Sequence, residues 1–315
     1  MISHLDRRKR CRCLTNMVGG IALIVLGLAG CTSTADDPMT VKPETMLTQP
    51  VTPVGAATLD LAERALYEGR IDDARALLGR AVFDVGDRPR AQLIAAEVQL
   101  ASGAYRQAAT AFRELVTSQE VKARALQGEG IALSLADGAS ESGYVSLQAA
   151  VAQDPSLARA WNALGYYHDL RREWQEAAES YTRALVIDPN SAMILNNRGF
   201  SMLMQGRIKE AVADLGEALR QDPALRPARE NLRLALAWDG DYALALAGAE
   251  DGGLARALNN VGYVALLRGD QDSAEALFLR AIEADPAFNT TAARNLAYLR
   301  SLRESNRIEG PLRPK

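Results

Sequence analysis

From Ala158 to Ser191 the chain reads ARAWNALGYYHDLRREWQEAAESYTRALVIDPNS, and this stretch sets a register that the rest of the sequence keeps. It ends in Asp188-Pro189, and Asp-Pro recurs at Asp154-Pro155, Asp222-Pro223 and Asp285-Pro286, with spacings of 34, 34 and 63 along the chain. A single glycine recurs at Gly69, Gly103, Gly138, Gly206, Gly240 and Gly269, and an alanine follows five residues after most of them, at Ala74, Ala108, Ala211, Ala245 and Ala274. Each mark has a physical meaning in a helix-turn-helix unit. Glycine closes a first helix in a left-handed cap, alanine lets the two helices approach, and proline stops the second.

A 34-residue period of this kind is similar to the tetratricopeptide repeat. The stretch 158–191 resembles that family at Trp161, Leu164, Gly165, Ala177, Tyr181, Ala184 and Pro189, with Arg172 where other copies carry glycine and His168 where the family usually has tyrosine. His168 reads as a core-edge residue, because no second histidine accompanies it in this part of the chain. The resemblance implies an all-α fold, a right-handed tetratricopeptide α-solenoid. Its units are expected at 55–88, 89–122, 124–157, 158–191, 192–225, 226–254 and 255–288, with a capping helix and tail over 289–315. The unit 226–254 is five residues short, because YALALAGAE runs into Gly252-Gly253. Such a unit either alters the superhelix locally or marks a joint.

The hexamer LNNRGF (Leu195–Phe200) returns as LNNVGY (Leu258–Tyr263). Two adjacent amides are poor helix formers and poor core material. In the repeat register Asn196 and Asn197 take positions 5 and 6 of a first helix and Phe200 position 9, as do Asn259, Asn260 and Tyr263. Asn162 and Tyr166 share positions 5 and 9, Asn231 shares position 6, and the last helix places Asn295 and Tyr298 likewise once one inserted residue is allowed. Positions 5 and 9 lie on one helix face, which in the family lines the concave groove. Two readings stay open: a groove that captures an extended peptide with amides and rings, or amides that bond only to neighbouring repeats.

The N-terminus carries a separate message. RRKRCR at 7–12 precedes the apolar run Met17–Gly30, shorter than the roughly 20 residues that span a bilayer, and reads as a signal peptide over 1–30. Its end, Leu28-Ala29-Gly30-Cys31, resembles the bacterial lipobox, which implies a covalent lipid on Cys31, with a plain secretory signal or an uncleaved inner-membrane anchor as the alternatives. Residues 31–54 are then the lipidated cysteine and a proline-containing tether, of which the 22 residues 32–53 reach about 75 Å when extended. Thr32 rather than aspartate after the cysteine favours, by the family rule, the periplasmic face of the outer membrane.

The chain has 315 residues, 48% apolar and 5% aromatic. Cleavage before Cys31 leaves it acidic, at a formal charge of −7, a poor balance for nucleic acid. The three cysteines lie at positions 11, 13 and 31 and the histidines at 4 and 168, so thiol–imidazole catalysis and multi-histidine metal sites have no residues to draw on beyond the N-terminus. No phosphate-binding GxxxxGK[ST] loop occurs. The expectation is a non-enzymatic scaffold without a cofactor other than the lipid. Lipobox, tether and array together resemble the tetratricopeptide lipoprotein of the tight-adherence (Flp) pilus system, implying a secretin or pilus component as partner. The alternatives are an adaptor for cell-wall hydrolases or proteases and a component of the β-barrel assembly machine.

Overall fold

The computed structural model describes residues 53–84, 88–249, 253–284 and 289–308. The signal peptide, Cys31, most of the tether and the last seven residues lie outside the described residues. Those described are helical throughout, with no strand among them. Helices α1 (Pro53–Tyr67), α2 (Ile71–Asp84), α3 (Arg88–Ala101), α4 (Tyr105–Leu115), α5 (Lys122–Asp137), α6 (Glu141–Gln153), α7 (Ala158–Arg171) and α8 (Trp174–Ile187) belong to one compact unit ending at Pro189. Helices α9 (Ala192–Met204), α10 (Ile208–Gln221), α11 (Arg226–Asp239), α12 (Tyr242–Leu246), α13 (Leu254–Arg268), α14 (Gln271–Ala284) and α15 (Asn289–Ile308) belong to a second, beginning at Asn190.

Within each unit the odd-numbered helices are the first helices of their pairs. Each second helix packs on its own first helix and on the next one, and successive first helices also touch. Turns of a few residues join the partners, so they run antiparallel. The alanine five residues past the turn is the closest point of approach: Ala74, Ala108, Ala211, Ala245 and Ala274 are all buried, as is Ala177. Glycines inside first helices serve the same end. A Cβ on Gly165 would stand 2.6 Å from Cε1 of the buried Tyr181 ring, so the missing side chain is what admits that ring. Tyr181 in turn donates its hydroxyl to Asp169 at 2.8 Å, joining α8 to α7 inside the core.

The Asp-Pro marks act through both residues. Asp154 accepts hydrogen bonds from the backbone N–H and the hydroxyl of Ser156, at 2.9 and 2.6 Å, and Asp222 accepts from Ala224 N–H at 2.9 Å. The carboxylate thus shapes the turn while proline prevents the helix from continuing. After the first helices, Gly206 and Gly240 adopt positive φ of 77° and 100°. Arg172 adopts the same left-handed conformation at φ 60° without being glycine. Gly138 differs: with φ 72° and ψ −124° it leaves the left-handed helical region for one that essentially only glycine enters.

The short unit is closed by arginines. α12 has only five residues, and Arg233 of α11, buried, donates from Nε to the Ala245 carbonyl at 2.9 Å and pairs with Glu230 at 3.0 Å. Arg268 of α13 donates to the Trp238 carbonyl at the C-terminal end of α11. Both cations thus meet carbonyls that a helix end leaves without partners. α11 packs on both α12 and α13. The chain divides into two compact units at Pro189–Asn190, and the short unit lies inside the second.

Candidate functional site

The paired asparagines form bridges between first helices. Asn196 donates from Nδ2 to Asn197 Oδ1 at 3.0 Å, and Asn231, one repeat on, donates to Asn196 Oδ1 at 2.9 Å. Sixty-three residues later the arrangement returns: Asn259 donates to Asn260 Oδ1 at 3.3 Å, and Asn295 donates to Asn259 Oδ1 at 2.8 Å. Asn196 and Asn197 are 0 and 1% exposed and Asn231 and Asn259 are 5% exposed. A buried amide must find partners, and here the partner is the next repeat's amide. This answers the question that LNNRGF and LNNVGY pose: these buried amides join first helix to first helix and do not line a groove. Asn162 is likewise buried, whereas Asn260 and Asn295 are half-buried.

The position-9 side chains divide. Phe200 is 8% exposed and belongs to the core, which corrects its expected place as a groove ring. Tyr166 and Tyr263 are half-buried, and Tyr298 stands 55% exposed on the last helix. Burial, helped by the Asp169 carboxylate, pushes the Tyr166 hydroxyl above its ordinary value, so it stays a neutral donor at any physiological pH. Tyr298 lies three residues after Asn295, as Tyr263 does after Asn260, Leu234 after Asn231 and Phe200 after Asn197. Each amide bridge therefore ties the rotation of the pair it joins, α9 with α11 and α13 with α15.

In the N-terminal unit position 9 is filled differently. Glu63 accepts from Arg90 at 2.7 Å and from Arg124 at 2.9 Å, and Glu97 pairs with Arg159 at 3.2 Å. Arg124 and Arg159 come from the first helix two repeats further on, so these pairs strap α1 to α5 and α3 to α7. Burial raises the Glu63 carboxyl, yet hydrogen bonds from both arginines outweigh it and hold the group below the usual carboxylate range. Sequence reading missed these straps, although their signal was present: arginine at position 1 or 2 and glutamate at position 9 in the same register.

His168 sits where the core-edge reading put it. Its ring lies edge-on to Tyr144 and Tyr167, at 5.7 and 5.6 Å, and Nδ1 shares a hydrogen bond with Glu173 at 2.7 Å. Tyr144 and Tyr167 stack at 4.4 Å, tying α6 to α7. No group of histidine, cysteine and carboxylate side chains able to hold a metal occurs among the described residues, and none of their helices is long and apolar enough to cross a membrane.

Paired helices in register, glycine or left-handed turns and alanine contacts define an α-solenoid of helix-turn-helix repeats. Family models described as Tetratricopeptide repeat match residues 59–126, 158–191, 180–213 and 253–287, together more than half of the chain. The chain belongs to the tetratricopeptide repeat superfamily. Among solved structures it is similar to a thermophilic TPR protein of Thermus thermophilus, at 23% identity over 58% of this chain and 98% of that one, with a TM-score of 0.51. It is also similar to a chain of the APC/C hetero-tetramer Cut9–Hcn1, at 15% identity over 78% of this chain and 52% of that one, with a TM-score of 0.58. At such identities the likeness is one of fold. No curated protein matches the chain in sequence. Tetratricopeptide proteins bind protein or peptide partners, and the fold makes this chain an interaction scaffold.

Proposed function

We propose that the protein is a non-enzymatic lipoprotein scaffold, held by a lipid on Cys31 at the periplasmic face of the outer membrane, that assists assembly of a secretion or pilus machine of the tight-adherence type. Its array captures an extended segment of an envelope partner, a secretin or pilus component, on the face of α9, α11, α13 and α15 that carries Tyr263 and Tyr298. The observation that carries the capture is the exposed Tyr298 ring in register with Tyr263, since rigid rings give large apolar contact at low entropic cost. The lipobox and the tether, which would let the array work away from the membrane surface, support the anchored setting.

Co-purification from crosslinked membranes tests this reading, comparing the intact chain with a Tyr263→Ala/Tyr298→Ala variant and with Cys31→Ser. Loss of a secretin or pilus protein from the tyrosine variant, and release of Cys31→Ser from membranes, are the expected results. An unchanged partner list would remove the groove, and a lipid-free Cys31→Ser chain that stays with membranes would remove the anchor. Loss of a hydrolase or protease instead would keep the groove and replace the assembly role by an adaptor role.

A further inference from the structure

The two units differ at the same repeat positions, although Tyr166 of α7 shows that the N-terminal unit also carries one position-9 ring. In the N-terminal unit arginines at positions 1 and 2, Arg90, Arg124 and Arg159, each meet a carboxylate at position 9, Glu63 or Glu97. In the C-terminal unit position 9 holds Phe200, Leu234, Tyr263 and Tyr298, yet the arginines remain. Arg226 and Arg256 take positions 1 and 2 of α11 and α13, and Arg294 precedes Tyr298 by four residues on one face of α15. All three are exposed and make no hydrogen bond or ion pair among the described residues. Arg256 shares a face with Asn260 and Tyr263, four and seven residues on. Helices α9, α11, α13 and α15 carry ten arginines against Glu230, Asp239 and Glu304; Arg198, Arg300 and Arg303 pair with carboxylates of the second helices and Arg233 with Glu230, whereas Arg226, Arg256 and Arg294 have no such partner among the described residues. The second helices α10 and α14 hold more carboxylates than cations.

We infer that the segment captured on the C-terminal first helices is acidic, an extended stretch in which carboxylates alternate with apolar or aromatic side chains. The carboxylates take Arg226, Arg256 and Arg294, replacing the pairing that Glu63 and Glu97 provide internally in the other unit, while the apolar groups pack on Tyr263 and Tyr298. Complementary charge of this kind steers encounter and fixes which way the segment runs. The inference rests on the groove reading above and names the chemistry of its occupant.

The test is fluorescence anisotropy on the purified full chain, with a labelled short peptide of glutamate and phenylalanine and its glutamine counterpart as probes. Binding of the glutamate peptide is expected to weaken about tenfold in Arg256→Glu/Arg294→Glu and to fall steeply with salt, while Arg280→Glu on the outer helix α14 leaves it unchanged. Equal binding of the glutamine peptide, or an equal effect of Arg280→Glu, would overturn the acidic assignment. Tighter binding by a chain lacking residues 32–52 would assign the face to its own tether, which carries Asp36, Asp37 and Glu44, and would overturn a separate partner. If Tyr263→Ala/Tyr298→Ala abolishes partner capture in membranes and the arginine variant does not, the groove stands and its acidic occupant falls. If neither variant matters, both fall.

Discussion

The first helices of the N-terminal unit carry seven cationic and six anionic side chains, close to balance, whereas those of the C-terminal unit carry ten arginines and three carboxylates. The backbone plan is shared, and the difference lies in what reaches across the inner face. In one unit glutamates at position 9 strap alternate repeats together; in the other, amides tie neighbouring repeats from within and leave Arg226, Arg256, Arg294 and the Tyr298 ring exposed. A repeat fold separates these uses because each repeat contacts only those one or two places along the array, so cohesion in one region places little demand on surface chemistry in another.

Packing offers the largest contrast. Gly165→Ala drives a Cβ to 2.6 Å from the buried Tyr181 ring, which is hydrogen-bonded and cannot yield, and is expected to cost about 3 kcal/mol. Gly199→Ala in the C-terminal unit meets Leu215 Cγ at 2.8 Å, the branch point of a fully buried side chain that no hydrogen bond holds, and is expected to cost less, about 2 kcal/mol. Denaturant unfolding of the two variants checks the order; equal losses would mean that ring rigidity is not what limits the site.

Removing the amide link comes next. Asn196→Ala leaves the Asn231 donor and the Asn197 acceptor without that partner inside the core, at an expected cost of about 2 kcal/mol. Hydrogen exchange should quicken in α9 and α11 first, and the loss should be the same at low and high salt. A loss that high salt abolished would show that the C-terminal unit, too, is held by charge.

Most of the fold was legible because repeat marks are local chemistry repeated: the second helices α6 and α10 end just before Asp154-Pro155 and Asp222-Pro223, where proline was expected to stop them, and Ala211 and Ala274 are buried where a close contact was needed. The candidate face was legible only in part. Position in the register told which helix face Asn196 and Phe200 occupy, but burial depends on the neighbouring helices, and both residues lie inside. The straps from Glu63 and Glu97 escaped notice because the pairs are 61 and 62 residues apart, visible only when alternate repeats are laid side by side. The short unit gave its length away but not its closure, since Arg233 reaches a carbonyl rather than a side chain.

The straps predict a smaller, salt-sensitive effect. Glu97→Gln is expected to cost about 1 kcal/mol at low salt and less at high salt, since Arg159 is half-exposed. Glu63 adds a pH signature whose sign follows from its depressed folded-state pKa: the contribution is complete above the ordinary carboxylate value of about 4.3 and is lost as the pH falls through the lower, folded-state value. Acid should therefore raise exchange in α1 and α5, and Glu63→Gln should remove that part of the acid sensitivity. If acid loosened α1 and α5 equally in Glu63→Gln, other carboxylates would account for it.

The smallest expected effect is a gain. Arg172 and Gly206 close equivalent first helices, in the N-terminal and C-terminal units, with φ of 60° and 77°. A side chain in the left-handed region costs roughly 1–2 kcal/mol, while glycine gives some of this back through the greater freedom of its unfolded chain. Arg172→Gly should thus stabilise the protein by about 0.5–1 kcal/mol, and Gly206→Arg should destabilise it by a similar amount. The side chain of Arg172 is exposed and its backbone N–H bonds to the carbonyls of His168 and Asp169, so the exchange removes no packed contact. Paired melting curves decide the sign: if Arg172→Gly lowered the midpoint, the arginine side chain would be contributing more at this turn than its strained backbone takes away.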